Sequence, residues 1–182
     1  MVQSDFERIG KRLFAEGLLV ANFGNMSVRS GDGFFITRSG SYLDAPGTPV
    51  LVPMDGEVPS EASSEYRVHR EIYRKTWHNA IVHAHPPHVV ACSLISDQIV
   101  PLGSEGIMFS PVIPVVDGMP GSEELASQVA VALGTARVVI ARGHGTFAAG
   151  KNLDEAYIFT SLADHSSHIL LLLDRSGRSG TG

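Results

Sequence analysis

Ile81-Val82-His83-Ala84-His85 is an apolar stretch that ends in two histidines placed two positions apart. The apolar residues predict a buried strand, in which successive side chains alternate between the two faces of a sheet. Both histidines then lie on one face, about 6.6 Å apart at a rise of about 3.3 Å per residue. Two imidazoles at this separation can bind one metal ion. The pair alone more often marks two polar side chains on a strand, so the remaining sequence has to decide.

The composition is that of a globular protein with one domain. The chain has 182 residues, of which 43% are hydrophobic and 18% are charged, and this length can bury a core without a disulfide. We expect one domain over residues 1–182, with residues 175–182 as a flexible tail rich in Gly, Ser and Arg. Fourteen basic and 19 acidic residues give a net charge of −5, which argues against nucleic acid or an anionic membrane as a partner.

The cysteine content and the apolar runs indicate the compartment. Cys92 is the single cysteine, so no intrachain disulfide can form, and its apolar neighbours favour a buried, unreactive thiol over a reactive one. The N-terminus lacks the apolar core of a signal peptide, and no apolar run reaches about 18 residues. We therefore expect a cytoplasmic protein that has no membrane segment.

Helical and strand patterns alternate along the chain without a regular βαβ period. Helices are predicted over residues 4–18, 63–75, 87–95, 123–133 and 152–173. Strands are predicted over residues 26–29, 34–37, 50–52, 80–85, 112–116 and 137–141, with a further extended segment at 98–102 and a loop at 103–106. This order favours an α/β or α+β layered fold, in which a mixed sheet lies between helices on both faces.

Small polar residues at turns and at one helix start have two interpretations. Gly24-Asn25 and Arg38-Ser39-Gly40-Ser41 are ordinary turn signals, but their N–H groups and side chains could also hold an anion such as phosphate. Ser63 and Ser64 could simply cap the helix that follows, or they could extend the anion site at its N-terminus. Glu65 would project from the first turn, next to that site.

His144 is the third histidine that could bind a metal. It follows the predicted strand 137–141 and is flanked by two glycines, which let the backbone approach a ligand closely. A lone histidine after a strand is more often structural. Together with His83 and His85, however, it completes a set of three ligands, and three protein ligands with one open position describe catalytic zinc. Three imidazoles also accept Co, Ni, Mn or Fe.

The other histidines are weaker candidates. His69 follows Glu65 by one helical turn. A position on the protein surface is favoured over one in which His69 supports the residues of the site. His165 and His168 are expected on the polar face of the last helix, and no partner is predicted for His78 or His88.

Five short motifs in this order resemble the class II aldolase/adducin family, and most closely its L-fuculose-1-phosphate aldolases. The motifs are Gly24-Asn25-Met26-Ser27-Val28-Arg29, Ile36-Thr37-Arg38-Ser39-Gly40, Ser63-Ser64-Glu65, His83-Ala84-His85 and Gly143-His144-Gly145. The resemblance spans residues 5–172, which is nearly the whole chain. It implies a central, mainly antiparallel sheet between helical layers, and a homotetramer with active sites at the subunit interfaces.

The resemblance also implies roles for individual residues. In this family the three motif histidines bind Zn²⁺, which here means His83, His85 and His144. Glu65 would be the acid/base residue, and it would also ligate the metal when the site is empty. The substrate phosphate would be held by Gly24, Asn25, Ser39, Gly40, Ser63 and Ser64.

The activity implied is that of a zinc-dependent aldolase. It would cleave a short ketose 1-phosphate, such as L-fuculose 1-phosphate or a related deoxyketose phosphate, to dihydroxyacetone phosphate and an aldehyde. The metal would stabilise the enediolate charge and Glu65 would move the proton. Burial raises the pKa of such a carboxyl and nearby Zn²⁺ lowers it, so the direction stays open. A sugar-phosphate 4-epimerase, dehydratase or decarboxylase would share these motifs, whereas an adducin-like interaction module would not need the complete metal set.

Two departures from the family affect the proton donor on the aldehyde side. Family aldolases use a tyrosine from a neighbouring subunit near the position of residues 103–105, and this chain has Glu105 there instead. The chain also ends soon after the last predicted helix, where the family carries a second tyrosine. Glu105 is the predicted donor, and a carboxylate on a surface loop is the equally open alternative.

Overall fold

The structure, a computed structural model, describes residues 2–175. The helices in this range are α1 (Val2–Ala15), α2 (Tyr66–Lys75), α3 (Pro87–Ser93), α4 (Ser104–Phe109), α5 (Glu123–Ala132) and α6 (Leu153–Arg175). The strands are β1 (Asn25–Ser30), β2 (Gly33–Ile36), β3 (Val50–Pro53), β4 (Ala80–Ala84), β5 (Gln98–Ile99), β6 (Ile113–Val116), β7 (Val138–Ala141) and β8 (Gly145–Gly150). Apart from Arg175, the last residue of α6, the predicted flexible tail lies outside the described residues.

The eight strands form one open sheet in the order β3-β2-β1-β4-β8-β7-β6-β5. Only β6 and β7 are parallel neighbours, and the other pairs are antiparallel. The prediction of a mixed, mainly antiparallel sheet is therefore confirmed. The strand that carries the first two candidate ligands, β4, lies near the centre of the sheet between β1 and β8.

Helices cover both faces of the sheet, as the layered fold predicts. On one face, α2 and α5 pack on a cluster that includes Ile81, Val139 and Phe147. On the other face, α1 and α6 cover Met26 and Val82, and α3 and α6 pack on β7 and β8. No helix within residues 2–175 combines the length and the apolar content that a membrane span requires.

The alternation of β4 places its histidines on the side of α2. Ile81 packs in the cluster of α2 and α5, while Ala80, Val82 and Ala84 pack towards α1 and α6. His83 has the parity of Ile81, and its ring stacks on Phe147 of the same cluster with a centroid distance of 4.1 Å. The predicted strand over 80–85 thus ends one residue earlier, at Ala84, so that His83 lies in the strand and His85 follows it immediately.

Two segments differ from the predicted elements. The predicted loop at 103–106 is wrong, because Ser104–Phe109 is a short helix in which Gly103 is the N-cap and Gly106 packs against Pro101. Two glycines within four residues, Gly103 and Gly106, are typical of a loop, which is why the sequence predicted one. The strand Gly145–Gly150 was not predicted, since its small residues have low β-propensity. It forms because it is buried between β4 and β7, where both neighbours satisfy its backbone.

Candidate metal centre and its surroundings

Three histidines converge where β4 ends and β7 turns into β8. His83 and His85 come from the end of β4, and His144 comes from the turn, with their ligand nitrogens all within 4.8 Å of one another. The antiparallel pairing of β4 with β8 aligns Ala84 with Thr146, which brings the turn alongside the two histidines. The three predicted ligands therefore form one cluster.

The turn needs glycine on both sides of His144. Gly143 adopts a positive φ of 65°, a conformation that other residues rarely take. A Cβ atom on Gly145 would lie 2.2 Å from the carbonyl oxygen of Ala84. Close contact between the turn and β4 is thus possible only without a side chain at residue 145.

His83 is oriented as a metal ligand by its backbone partner. Its Nδ1 lies 2.9 Å from the carbonyl oxygen of Thr146. A carbonyl can only accept, so Nδ1 carries the hydrogen and Nε2 has the free lone pair. Nε2 of His85 lies 3.0 Å from Nε2 of His83. His144 Nδ1 is buried and has no hydrogen-bond partner.

The three imidazoles are neutral at physiological pH. Burial is the main cause that lowers the pKa of each ring, well below 6.5 for His83 and to about 4 for His85. Burial also lowers the pKa of His144, and the neighbouring histidines add to the effect on His83. Because metal ligands must be deprotonated, no proton has to leave before these rings can bind a cation near pH 7.

Glu65 lies beside the histidine cluster. It is the N-cap residue of α2 and is 8% exposed, and its Oε2 lies 3.9 Å from Nε2 of His83. This oxygen is buried without a hydrogen-bond partner. Burial raises the pKa of the carboxyl to about 7, while a hydrogen bond from the backbone of Gly121 acts in the opposite direction. In the metal-free protein, burial therefore decides the direction that the sequence left open.

The helix start differs from the prediction in one detail. Neither Ser63 nor Ser64 is the N-cap, because α2 begins at Tyr66 and Glu65 occupies that position. The Ser63 hydroxyl still accepts a hydrogen bond from the Glu65 N–H at 3.4 Å. Ser63 is buried, whereas Ser64 is exposed. Ala62, just before these serines, pairs with Arg38 of a neighbouring turn.

That neighbouring turn holds Ser39 and Gly40. Arg38 and Ala62 form an isolated antiparallel bridge, and Ser39 N–H donates to the carbonyl of Glu61 at 2.8 Å. Gly40 has a positive φ of 74°. The turn at residues 38–41 and the serines before α2 therefore lie side by side.

The Gly24-Asn25 segment joins the same region. Asn25 lies directly opposite His83 in the sheet, and its Oδ1 is buried without a partner. Gly24 has a φ of 110°, and a Cβ there would lie 2.9 Å from the carbonyl oxygen of His83. Asn22 Nδ2 donates to the carbonyl of Gly40 at 3.3 Å. The structure thus brings the three predicted phosphate segments and the histidine cluster to one end of the sheet.

Four neighbouring positions were missed in the sequence. Asn22 bonds to Gly40, and the ring of Phe23 stacks over His85 at a centroid distance of 6.0 Å. Both residues directly precede the Gly24-Asn25 motif, and this position was the one signal of their role in the sequence. Thr146 and Gly121 act through backbone atoms. A contact made by backbone atoms leaves no side-chain signal in a sequence.

The surface position predicted for His69 is wrong. Its side chain is completely buried, with Nδ1 2.6 Å from the hydroxyl of Ser27. The residue lies on the face of α2 that also buries Val68 and Ile72 against the sheet. A helix that packs on a sheet buries a stripe of residues, and His69 falls within that stripe rather than outside it.

Glu105 does not join the histidine cluster of its own chain. The carboxyl is exposed and accepts a hydrogen bond from the Ser104 hydroxyl at 2.6 Å, which lowers its pKa. It lines a cavity of about 510 Å³ between α4 and α6, together with residues such as Phe109 and Ile158. Its role as a proton donor stays a prediction.

The other histidines among residues 2–175, and Cys92, lie outside the cluster. His165 and His168 are exposed on α6 as predicted, and Cys92 is buried as predicted. Two histidines gain partners that the sequence did not reveal. His78 Nε2 lies 3.1 Å from the carbonyl of Leu133, and His88 pairs with Asp164 at 2.8 Å.

Comparisons with known proteins agree with this geometry. The profile of the class II aldolase and adducin N-terminal domain family matches residues 5–171. An L-fuculose phosphate aldolase of Methanocaldococcus jannaschii is 32% identical over 177 residues, covering 94% of this chain and 97% of the relative. The crystal structure of the L-fuculose-1-phosphate aldolase of Thermus thermophilus superposes with a TM-score of 0.93 at 39% identity, covering 98% of this chain and 97% of the other.

A second kind of relative is also similar. YgbL of Klebsiella pneumoniae, named as a candidate aldolase, epimerase or decarboxylase, superposes with a TM-score of 0.85 at 25% identity, covering 93% of this chain and 88% of the other. The family resemblance is confirmed, and the predicted enzyme class, a metal-dependent lyase, agrees with the family and with these names. The profile match and the two aldolase relatives, with which the histidine cluster agrees, show that the chain belongs to the class II aldolase and adducin family.

Proposed function

We propose that this protein is a zinc-dependent aldolase that cleaves a short ketose 1-phosphate to dihydroxyacetone phosphate and an aldehyde. L-Fuculose 1-phosphate or a related deoxyketose phosphate is the proposed substrate. One observation carries the proposal: a buried carboxyl lies 3.9 Å from one of three clustered, neutral imidazoles, next to turns suited to phosphate. The names of the relatives from Methanocaldococcus jannaschii and Thermus thermophilus support the same substrate class.

The residues of the cluster fit a divalent metal ion. Three neutral nitrogens converge, one ring is already oriented by a carbonyl, and both His144 Nδ1 and Glu65 Oε2 are buried without partners. His83, His85 and His144 would hold the ion, and Glu65 would complete its ligands in the absence of substrate. When bound, the ion supplies a Lewis acid that polarises the ketone oxygen and stabilises the charge of the enediolate. Zinc is proposed because three histidines with one open position suit it, although Co, Ni, Mn and Fe also bind such sets.

Glu65 is the proposed acid/base residue. In the metal-free protein, burial raises the pKa of its carboxyl to about 7, and a bound cation would lower that pKa again. A group with a pKa close to the working pH is suited to accept and return a proton. Aldol cleavage requires removal of a hydroxyl proton, and the enediolate that results needs a proton on carbon.

The phosphate is proposed to bind at the end of the sheet beside the cluster. Ser39 and Gly40 lie next to Ser63 and Ser64 through the bridge between Arg38 and Ala62, and Gly24-Asn25 lies opposite His83. Backbone N–H groups at such turns attract anions. Binding energy from this group, which does not react, can orient the reacting carbons.

We further propose a cytoplasmic homotetramer whose active sites lie at subunit interfaces. The helix α4 carries three large apolar side chains that are more than half exposed, namely Ile107, Met108 and Phe109. A second subunit would bury this surface. Glu105 lies on the same helix and away from its own cluster, so an interface there could bring it to the site of a neighbour as the proton donor.

A 4-epimerase, dehydratase or decarboxylase is the second candidate function. The similarity to YgbL favours it, since that protein is named as a candidate for more than one of these activities. An adducin-like interaction module is disfavoured by the complete histidine set with Glu65, which such a module would not need.

A coupled assay separates these functions. The purified protein, loaded with Zn²⁺, is incubated with a panel of ketose 1-phosphates, and dihydroxyacetone phosphate is detected through an NADH-dependent reductase. We expect metal-dependent release of triose phosphate from at least one deoxyketose 1-phosphate. An epimer, a dehydrated product or carbon dioxide without triose phosphate would reject the aldolase in favour of the second candidate.

A further inference from the structure

A buried polar network connects α2 to the sheet behind the cluster. The Ser27 hydroxyl lies 2.6 Å from Nδ1 of His69 and 2.7 Å from the hydroxyl of Tyr73. Ser27 and His69 are 0% exposed and Tyr73 is 2% exposed. A buried network of three polar side chains is directional, because each hydrogen bond fixes distance and angle in a way that apolar packing does not.

The network begins one turn after Glu65. The His69 N–H donates to the carbonyl of Glu65 at 3.3 Å, so the two residues belong to the same first turn. The Glu65 side chain has no cap hydrogen bond, and its Oε2 has no partner. Its position relative to His83 therefore depends on the backbone of that turn and on one hydrogen bond, which the backbone of Gly121 donates to the carboxyl.

The other end of the network lies on β1, the strand that pairs with β4 and its histidines. Ser27 follows Asn25 by two residues on β1, and Asn25 lies directly opposite His83. The His69 ring also meets the edge of Phe147 at a centroid distance of 6.3 Å, and Phe147 stacks on His83. His69 is thus bonded to the backbone of Glu65 on one side and lies against Phe147, the ring that stacks on His83, on the other.

We propose that His69 is a positioning residue, which holds the first turn of α2 against β1 and so fixes Glu65 beside the metal ligands. This inference rests on the proposed function, because the reaction it serves is the aldol cleavage. His69 does not touch the substrate in this scheme and acts only through Glu65.

The energetics favour a positioning role over simple core packing. His69 Nε2 is buried without a partner, and such a group costs stability that an apolar side chain of similar volume would not. Burial lowers the pKa of His69 to about 3, so the ring is neutral and the network carries no charge towards the metal site. A second buried histidine, His78, offers a matched comparison, since it makes one ring hydrogen bond, to Leu133, and lies outside the cluster.

The first test is a double-mutant cycle with Glu65. His69→Phe keeps the ring shape and removes the hydrogen bond, and we expect it to lower kcat by about 10- to 100-fold while KM changes by less than about threefold. In a Glu65→Asp background, where the carboxylate is already displaced, the same change should lower kcat by less than about twofold. His69→Asn, which can still bond to Ser27, should recover part of the rate.

His78→Phe is the control for lost stability. It should lower Tm to an extent similar to His69→Phe and leave kcat within about twofold. The proposal would be overturned if His69→Phe lowered kcat equally in the wild-type protein and in the Glu65→Asp variant. It would also be overturned if His69→Phe left kcat of the wild-type protein unchanged. If His69→Phe does not fold, Ser27→Ala removes the same hydrogen bond with a smaller change in volume and takes its place in the cycle.

Hydrogen exchange gives a readout independent of activity. In Ser27→Ala, we expect the amides of residues 66–69 to exchange about tenfold faster, with the amides of α5 unchanged. His78→Phe should not accelerate residues 66–69. Unchanged exchange of residues 66–69 in Ser27→Ala would overturn the positioning role, whatever the activity assay shows. Failure of the wild-type protein to release triose phosphate would by itself reject only the aldolase function.

Discussion

Oε2 of Glu65 lies 3.9 Å from Nε2 of His83, and neither the sheet nor the helix supplies that oxygen with a hydrogen-bond partner. The neighbouring ring is neutral, so it provides no charge to stabilise a carboxylate. Without a metal ion, the ionised form of Glu65 is therefore unfavourable in the folded protein. A buried carboxyl whose ionised form becomes favourable only when a cation is nearby suits a metal centre.

The first prediction concerns the stability of the metal-free protein. The pKa of Glu65 is about 7 when folded and about 4.5 when unfolded, so the folded state binds the proton more tightly. Burial of this carboxyl does not lower the free energy of unfolding below about pH 4.5. Above that pH the free energy of unfolding falls, and at about pH 7 the loss reaches about 3 kcal/mol. At pH 8, in the presence of a chelator, Glu65→Gln should raise the free energy of unfolding by up to about 3 kcal/mol.

Urea unfolding at two pH values checks this sign. The gain from Glu65→Gln should nearly vanish at pH 5. The exposed Glu57 provides the control, since Glu57→Gln should change the free energy of unfolding by less than about 0.5 kcal/mol at either pH. A gain as large at pH 5 as at pH 8 would show that charge burial is not its cause.

The second prediction concerns the metal. A saturating ion at about 100 times its dissociation constant should stabilise the protein by about 2.7 kcal/mol, because it binds the folded state only. His144→Ala should abolish this gain and the bound metal, since the cluster loses one of three ligands. Tm with and without Zn²⁺, and metal analysis after dialysis, measure both effects. His168→Ala, on the exposed side of α6, should behave like the wild type.

The third prediction concerns the glycine after His144. A Cβ on Gly145 would lie 2.2 Å from the carbonyl oxygen of Ala84, so Gly145→Ala must push β8 away from β4. We expect a loss of about 3 kcal/mol in the free energy of unfolding and weaker metal binding. At Gly103 the nearest atom to an added Cβ is 3.6 Å away, an ordinary contact, so Gly103→Ala should stay within about 0.5 kcal/mol. Similar losses in the two variants would argue against a specific close approach.

The fourth prediction tests the proposed phosphate site. Asn22→Ala removes the hydrogen bond to the carbonyl of Gly40, which aligns the turn at residues 38–41. One such bond is worth about 1 kcal/mol, so KM and the inhibition constant for inorganic phosphate should rise about fivefold, with kcat nearly unchanged. Thr48→Ala removes a long 3.4 Å bond to Gln3 on the exposed surface and serves as the control. A fall in kcat at constant KM would place Asn22 in the chemistry instead.

Much of the site could be predicted because it depends on local patterns. The alternation in 80–85 places Ile81 and His83 on one face of the sheet, and the glycines around His144 mark a turn with little space for side chains. The order of five motifs was enough for the family, which the profile match confirms. A sequence cannot show equally well which side of a helix meets the sheet, and His69 was placed on the wrong side for that reason.

By itself, the sequence determined the family through the order of its five motifs. The resemblance then implied the mainly antiparallel sheet and the three metal-binding histidines, whereas the periodicity alone indicated a mixed sheet between helices. Only the tertiary structure decided the environment of Glu65 and the burial of His69. The pKa of a carboxyl depends on its burial and on its hydrogen bonds, and for Glu65 burial outweighs the hydrogen bond from the backbone of Gly121. The partners of Ser27 are 42 and 46 residues away in sequence, so only folding brings them together.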